Sequence, residues 1–270
     1  MYNDLFSIGP FTIHGYGLMI GLGFAAACMT GDFRARKKGL DPDLTFNLAV
    51  VTIVLGFCCA KVLYLLTVLP ELLADPSRFR DLSSGFVVFG GILGGGFFSW
   101  LLCRYKKASF LAYADLCMPS IALAQAFGRI GCFLAGCCYG KVTDGPFAVT
   151  FSHSYIAPNG VPLLPTQLIS GALNVIHILI LLAVARRQKR EGEVFAAYMI
   201  FYSFGRFAVE FLRGDLDRGF VGILSTSQFI ALFTGAAGIL FRLWIRKHGK
   251  AVSAEDFPAA ETSEPAEASE

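Results

Sequence analysis

Long apolar stretches alternate with short polar clusters along this chain. Seven such stretches stand out, at about 13–32, 44–69, 86–104, 109–130, 166–185, 194–213 and 221–245. Each is near the ~20 residues that a helix needs to cross the hydrocarbon core of a bilayer. The pattern predicts an all-α, polytopic membrane helix bundle of about seven transmembrane helices. Basic clusters follow every second stretch: "RARKK" (34–38), "RYKK" (104–107), "RRQKR" (186–190) and "RLWIRKHGK" (242–250). The alternate loops mix signs, with Glu71, Asp75, Arg78, Arg80 and Asp81 in one and Asp215, Asp217 and Arg218 in another. Lys and Arg accumulate on the cytoplasmic side of membrane proteins. The N-terminus is therefore expected outside and the C-terminus in the cytoplasm.

Composition agrees. The chain is 55% hydrophobic and only 16% charged, with a mean hydropathy of +0.59, against about 25% charged residues in soluble domains. A net charge of +3 is too small to suggest a nucleic-acid partner. The start, "MYNDLFSIGPF", has no basic n-region and carries Asp4, so it does not read as a cleaved signal peptide. Residues 1–249 are expected to form one transmembrane domain. Residues 250–270, ending "AVSAEDFPAAETSEPAEASE", have almost nothing to bury and are expected to be a disordered acidic cytoplasmic tail. Of eight cysteines, Cys28, Cys58, Cys59, Cys103 and Cys117 fall inside the stretches, where cysteine acts as a small apolar residue. The loop at about 140–163 is long for a membrane protein and lies on the outer side; such loops are often functional.

This topology gathers polar residues in the outer half. His14 and Tyr16 open the first helix, Gln125 and Arg129 close the fourth, and Tyr202, Arg206, Glu210 and Arg213 run along the sixth. Offsets of 0, +4, +8 and +11 from Tyr202 fall on one helical stripe. Arg206 and Glu210 are an i, i+4 ion pair by position. Charges inside a bilayer are costly and mark functional sites. Other readings stay open: Arg129 and Arg213 are also placed to snorkel to the interface, and Glu210 to serve as a structural partner of Arg129 or Arg206. The glycines of "FGGILGGG" (89–96) and "GYGLMIGLG" (15–23) suit close helix packing; a glycine beside an arginine also lets backbone N–H groups reach a phosphate. Arginine holds phosphate bidentately and keeps its charge, so an anionic lipid head group is the natural ligand. Taken alone, the residues define a phospholipid-handling membrane enzyme or transporter with its site on the outer side.

Five segments carry a family resemblance. "GRIGCFLAGCCYG" (128–140) resembles the signature of the prolipoprotein diacylglyceryl transferase family, commonly G-R-x-G-N-F-x-N-x-E-x-x-G. "HGYG" (14–17) is similar to its H-x-Y-G, and "YSFGRFAVEFLRGD" (202–215) to its Y-G-x-x-R-F-x-x-E-F-x-R-x-x-D. "LPTQL" (164–168) and "LSTSQ" (224–228) are similar to its H-P-S-Q-L and L-S-M-G-Q. The resemblance implies a seven-span enzyme of the bacterial cytoplasmic (inner) membrane. It would move the diacylglyceryl unit of phosphatidylglycerol to the cysteine thiol of a lipobox, releasing glycerol 1-phosphate. Its partners would be phosphatidylglycerol, prolipoprotein signal peptides and membrane lipids, with no cofactor and no metal. By position, Arg129 would hold the lipid phosphate, Arg206 would assist at the phosphoryl end, positioned by Glu210, and Tyr16 and Tyr202 would line the site. Gly140 matches the glycine that closes the signature.

The chain departs from the family where Phe89 and Leu164 stand in place of histidines, Cys132 in place of asparagine and Cys137 in place of glutamate. His14 and Glu210 remain as candidate bases for the acceptor thiol. Arginines are expected to carry most of the catalysis, by stabilising the departing phosphate. Three rival readings follow. One is a divergent paralogue with another acceptor or no transferase activity. Another is a redox or metal protein built on Cys132, Cys137 and Cys138, which the lack of paired C-x-x-C spacing argues against, while a Cys132–Cys137 disulfide stays open. The third is a transporter, disfavoured because nothing comparable to the outer charges is expected in the inner halves of the helices.

Overall fold

The computed structural model describes residues 4–8, 11–74, 85–215 and 219–252. Asp75, Arg78, Arg80, Asp81, Asp217, Arg218 and residues 253–270 of the expected tail lie outside the described residues. Two antiparallel strands, β1 (Asp4–Ile8) and β2 (Phe11–His14), run directly into α1 (Gly15–Lys37). Then come α2 (Pro42–Thr67), the short α3 (Leu69–Ala74), α4 (Val88–Tyr105) and α5 (Phe110–Ala135). A small antiparallel pair, β3 (Val149–Thr150) with β4 (Pro162–Leu163), braces the long loop, which folds over buried Phe151, Ala157 and Leu163. The chain continues through α6 (Thr166–Arg186), α7 (Glu193–Glu210), the pair β5 (Phe220–Val221) and β6 (Leu224–Ser225), and α8 (Thr226–His248).

The fold is a membrane helical bundle. Helices α1, α2, α5, α6 and α8 are each long and apolar enough to cross a bilayer. The other two long helices, α4 and α7, have 18 residues each, roughly 27 Å of helix. Five glycines and Arg104 dilute α4, and a polar stripe dilutes α7. Phe57, Leu93, Phe204, Phe233 and Leu240 on α2, α4, α7 and α8 are exposed, large apolar side chains that suit lipid rather than water.

Helix ends differ from the periodicity reading for identifiable reasons. Helix α1 runs on to Lys37, so Arg34 and Arg36 are helical; Arg34 donates to Ser120 at 2.6 Å and Arg36 pairs with Asp32 at 2.9 Å. Helix α7 stops at Glu210 because the next residues pair with the chain after α5: the Lys141 amide donates to the Leu212 carbonyl at 3.0 Å and the Gly214 amide to Tyr139 at 3.1 Å. Helix α8 starts later than expected, at a capping box in which Ser225 and Gln228 satisfy each other's backbone amides.

Helix α2 packs along α4, α1 along α5, α5 along α6 and α7 along α8. The glycine reading holds where backbones touch. A Cβ on Gly90 would lie 2.5 Å from the Cys59 carbonyl oxygen, and one on Gly23 2.8 Å from the Phe127 Cβ. It does not hold at Gly17 and Gly21, which face open space.

The end of the bundle opposite the C-terminus of α5 is not apolar, which corrects the expectation that charge gathers at one side alone. Asp115 is 1% exposed and accepts hydrogen bonds from the amides of Gly192 at 2.5 Å and Phe195 at 2.7 Å, and from the Gln188 side chain. Lys38 donates to Gln188 at 3.0 Å, and Thr30 joins Arg34 on Ser120 at 2.8 Å. Residues 189–191 pair with 250–252 through Glu191 to Lys250 and Val252 to Lys189 bonds, each 3.0 Å.

Candidate anion-binding site

The site is assembled where α5 ends. Gly136 closes the helix in the left-handed conformation (φ 75°), which a residue without Cβ adopts freely. The following segment is clamped from two sides. Thr166 Oγ1 donates to the Cys138 carbonyl at 2.7 Å and Gln167 Nε2 to the Cys137 carbonyl at 2.8 Å. The Gly140 amide donates to the Leu164 carbonyl at 2.9 Å, and Gly140 bridges to Arg213. A Cβ on Gly140 would lie 2.5 Å from the Leu164 oxygen, and one on Gly214 2.4 Å from the Gly140 oxygen. Gly140 thus permits a close backbone crossing. The segments "GRIGCFLAGCCYG", "LPTQL" and "FLRGD", far apart in sequence, meet here.

Beside this crossing, Glu210 is 4% exposed and lies between two guanidinium groups, 3.0 Å from Arg206 and 3.7 Å from Arg213. Arg206 also donates to Ser227 Oγ at 2.7 Å, which ties the "LSTSQ" segment into the cluster. Arg213 forms a two-point pair with Asp215, with Nε at 2.9 Å. Its side chain is only 11% exposed, so it does not snorkel outward. Burial opposes its charge, but the Asp215 carboxylate outweighs that and holds the guanidinium above its ordinary pKa.

Arg129 stands apart from this ladder. It is half-buried on α5 and has no hydrogen bond or ion pair among the described residues. Arg206 lies within its electrostatic reach, as do Tyr16 and Cys138. Arg129, Arg206 and Arg213 thus stand near Glu210 and Asp215, three cations and two carboxylates among the described residues. Tyr202 is also within electrostatic reach of Arg206.

His14 and Tyr16 lie on another wall. With Gly17, Ala135, Cys137 and Ile156 they line an open cavity of about 430 Å³. His14 Nδ1 pairs with Asp4 at 2.6 Å on the hairpin that precedes α1, which periodicity did not reveal. No contact joins His14 to Arg206 or Glu210 among the described residues; Tyr16, within reach of Arg129, links the two walls. Phe89 sits on the first turn of α4 and is exposed.

Gln125 points into the bundle and donates to the Tyr198 hydroxyl at 2.8 Å. Tyr198 stacks on Tyr202 with ring centroids 5.5 Å apart, and buried His177 stacks on Tyr198 at 5.1 Å. This column was missed from sequence. Tyr198 precedes Tyr202 by four residues on the stripe already drawn, a signal that was available; His177 carried none. The sulfurs of Cys132, Cys137 and Cys138 lie within 4.8 Å of one another, and all three residues are half-buried. Hydrogen bonds from the Cys132 and Cys137 thiols draw Cys138 toward its thiolate, with Arg213 and Arg129 adding to the effect.

Together these features define a polytopic helical membrane protein with a cation-rich, glycine-walled site at one end of the bundle. A sequence model of the family described as prolipoprotein diacylglyceryl transferase matches residues 3–244. The chain is 46% identical over 235 residues to a phosphatidylglycerol–prolipoprotein diacylglyceryl transferase of Clostridium tetani, covering 87% of this chain and 94% of that one. A second relative, phosphatidylglycerol–prolipoprotein diacylglyceryl transferase 2 of Clostridium perfringens, is 45% identical over 229 residues, 84% of this chain and 89% of the relative. A Lysinibacillus sphaericus enzyme named like the first is 29% identical over 248 residues, 88% of this chain and 90% of that one. This chain belongs to the prolipoprotein diacylglyceryl transferase family.

Proposed function

We infer that this protein transfers the diacylglyceryl group of phosphatidylglycerol to the lipobox cysteine thiol of prolipoproteins. The acceptor sulfur attacks the glycerol carbon that bears the phosphate. A carbon–sulfur bond forms, the carbon–oxygen bond breaks, and glycerol 1-phosphate leaves. The observation that carries this reading at the level of the site is Arg129, a half-buried guanidinium without a partner among the described residues. A charge inside an apolar stretch without a counter-ion is costly, and the phosphate of an anionic lipid supplies one.

Arg206, within electrostatic reach of Arg129 and Arg213, adds positive potential with Arg213 as charge builds on the departing phosphate. Glu210, held by Arg206 and Arg213, keeps them in place. His14, oriented by Asp4 and lining the cavity with Tyr16, is the better placed acceptor for the thiol proton. Gln125, Tyr198 and Tyr202 support the wall behind the site. A divergent acceptor is not favoured, because the similarity to the Clostridium enzymes extends over most of the chain.

The positive clusters at 34–38, 104–107, 186–190 and 242–250 support an inner-membrane orientation with the C-terminus in the cytoplasm. The end of α5 then faces outward, and the site opens toward the outer leaflet, where signal peptides of exported prolipoproteins arrive. The test is to incubate the purified protein with phosphatidylglycerol and a lipobox peptide and to weigh the peptide. A mass gain of one diacylglyceryl unit is expected; an unchanged mass overturns the reading.

A further inference from the structure

Cys132, Cys137 and Cys138 converge where α5 ends, and Cys137 lines the cavity; the absence of C-x-x-C spacing had argued against a metal reading of them. Their sulfurs lie within 4.8 Å of one another, and none forms a disulfide. Three thiolates on one Zn²⁺, at about 2.3 Å each, place their sulfurs roughly 3.8 Å apart. The local backbone is shaped for this convergence. Gly136 and Cys138 both have positive φ, 75° and 58°, and among the described residues Lys107 is the only other non-glycine residue to do so. A side-chain-bearing residue in that region is strained and persists where its surroundings over-determine it. Here Thr166 and Gln167 hold the carbonyls of Cys138 and Cys137 themselves. The turn thereby brings two adjacent cysteines to the same side as Cys132, one helical turn back. Arg129 and Arg213 are both within electrostatic reach of Cys138, so three thiolates are not an isolated concentration of negative charge.

We propose that Cys132, Cys137 and Cys138 together bind one thiophilic divalent cation of the Zn²⁺ class, whose fourth coordination position opens to the cavity and takes the acceptor thiol. Cys137 lines that cavity beside His14 and Tyr16. A protein that supplies three ligands and leaves one position open is built for exchange rather than for structure alone. This role rests on the transferase reading. The acceptor S–H gives up its proton to His14 as the sulfur coordinates, and the bound sulfur is a thiolate. It then displaces the phosphate at the glycerol carbon. The electron pair of the broken carbon–oxygen bond leaves on the phosphate that Arg129 holds, and the cation does not change oxidation state.

The test uses the full chain, purified in detergent under argon and equilibrated with Zn²⁺, then analysed for metal. One Zn²⁺ per chain is expected, and Cd²⁺ in its place should give the ultraviolet charge-transfer band of thiolate ligation. The Cys132→Ser/Cys137→Ser/Cys138→Ser variant should bind at least tenfold less, and so should Cys132→Asn, which carries the residue of the family signature and guards against misfolding. Wild-type protein that binds no more metal than these variants, or that holds a disulfide between two of the three thiols, overturns the site. Stripping the metal with a tight chelator should lower transfer to a lipobox peptide at least tenfold, and Zn²⁺ should restore it. Full transfer by stripped protein overturns the proposal and leaves the transferase function standing. Bound metal without any transfer supports the cation site and overturns the transferase reading instead.

Discussion

Charge is buried at both ends of this bundle, but the two ends are wired differently. At one, Asp115 accepts hydrogen bonds from two backbone amides and from Gln188, and Lys38 completes the set. Among the described residues these bonds tie α5 and the end of α1 to the turn between α6 and α7 and the first turn of α7, and they satisfy the Asp115 carboxylate from within the protein. At the other, Glu210 and Asp215 occupy Arg206 and Arg213, while Arg129 has no partner among the described residues. Burial alone does not distinguish a structural charge from a functional one. What distinguishes them is whether the protein itself completes the electrostatics.

The comparison yields four tests. Arg129→Gln should reduce transfer about a hundredfold or more, the usual cost of removing a donor from developing anionic charge. It should leave the detergent melting temperature unchanged, because no internal bond is lost; radiolabelled lipid gives the rate. Asp115→Ala should do the reverse. Stranding buried amide donors costs about 3 kcal/mol, so unfolding should come several degrees earlier while transfer per folded molecule is preserved. Gly90→Ala, which drives a Cβ toward the Cys59 carbonyl, should cost about 1–3 kcal/mol of stability, read in the same melting assay, with no change in the KM for lipid. His14→Ala should slow transfer by less than about tenfold, short of the loss expected of a sole general base, and a larger loss would make His14 the principal activator of the thiol.

The sequence made the helices legible because lipid enforces one requirement over ~20 residues at a time. Sixth-helix residues Tyr202, Arg206 and Glu210 were legible for a related reason: polar side chains at helical spacing inside an apolar stretch have few explanations. Helix ends were less so. The termination of α7 depends on Tyr139 and Lys141, about 70 residues away, which engage the Gly214 amide and the Leu212 carbonyl just beyond the helix in a backbone crossing. Asp115 lay within a predicted span and drew no notice, because its partners are backbone amides that leave no mark in composition. Likewise, the meeting of Cys132 with Cys137 and Cys138 depends on a left-handed turn that residue counting does not register. Gly140 was marked by its place in the signature, and the structure adds its physical reason in the contact with Leu164.

The contrast between a completed charge cluster and an incomplete one is tested most directly by counting bound lipid. Native mass spectrometry of the protein in mixed phosphatidylglycerol and phosphatidylethanolamine should show one phosphatidylglycerol retained by the wild type and by Asp115→Asn, and at least tenfold weaker retention by Arg129→Gln. Equal retention by Arg129→Gln and the wild type would contradict the assignment of the lipid phosphate to Arg129.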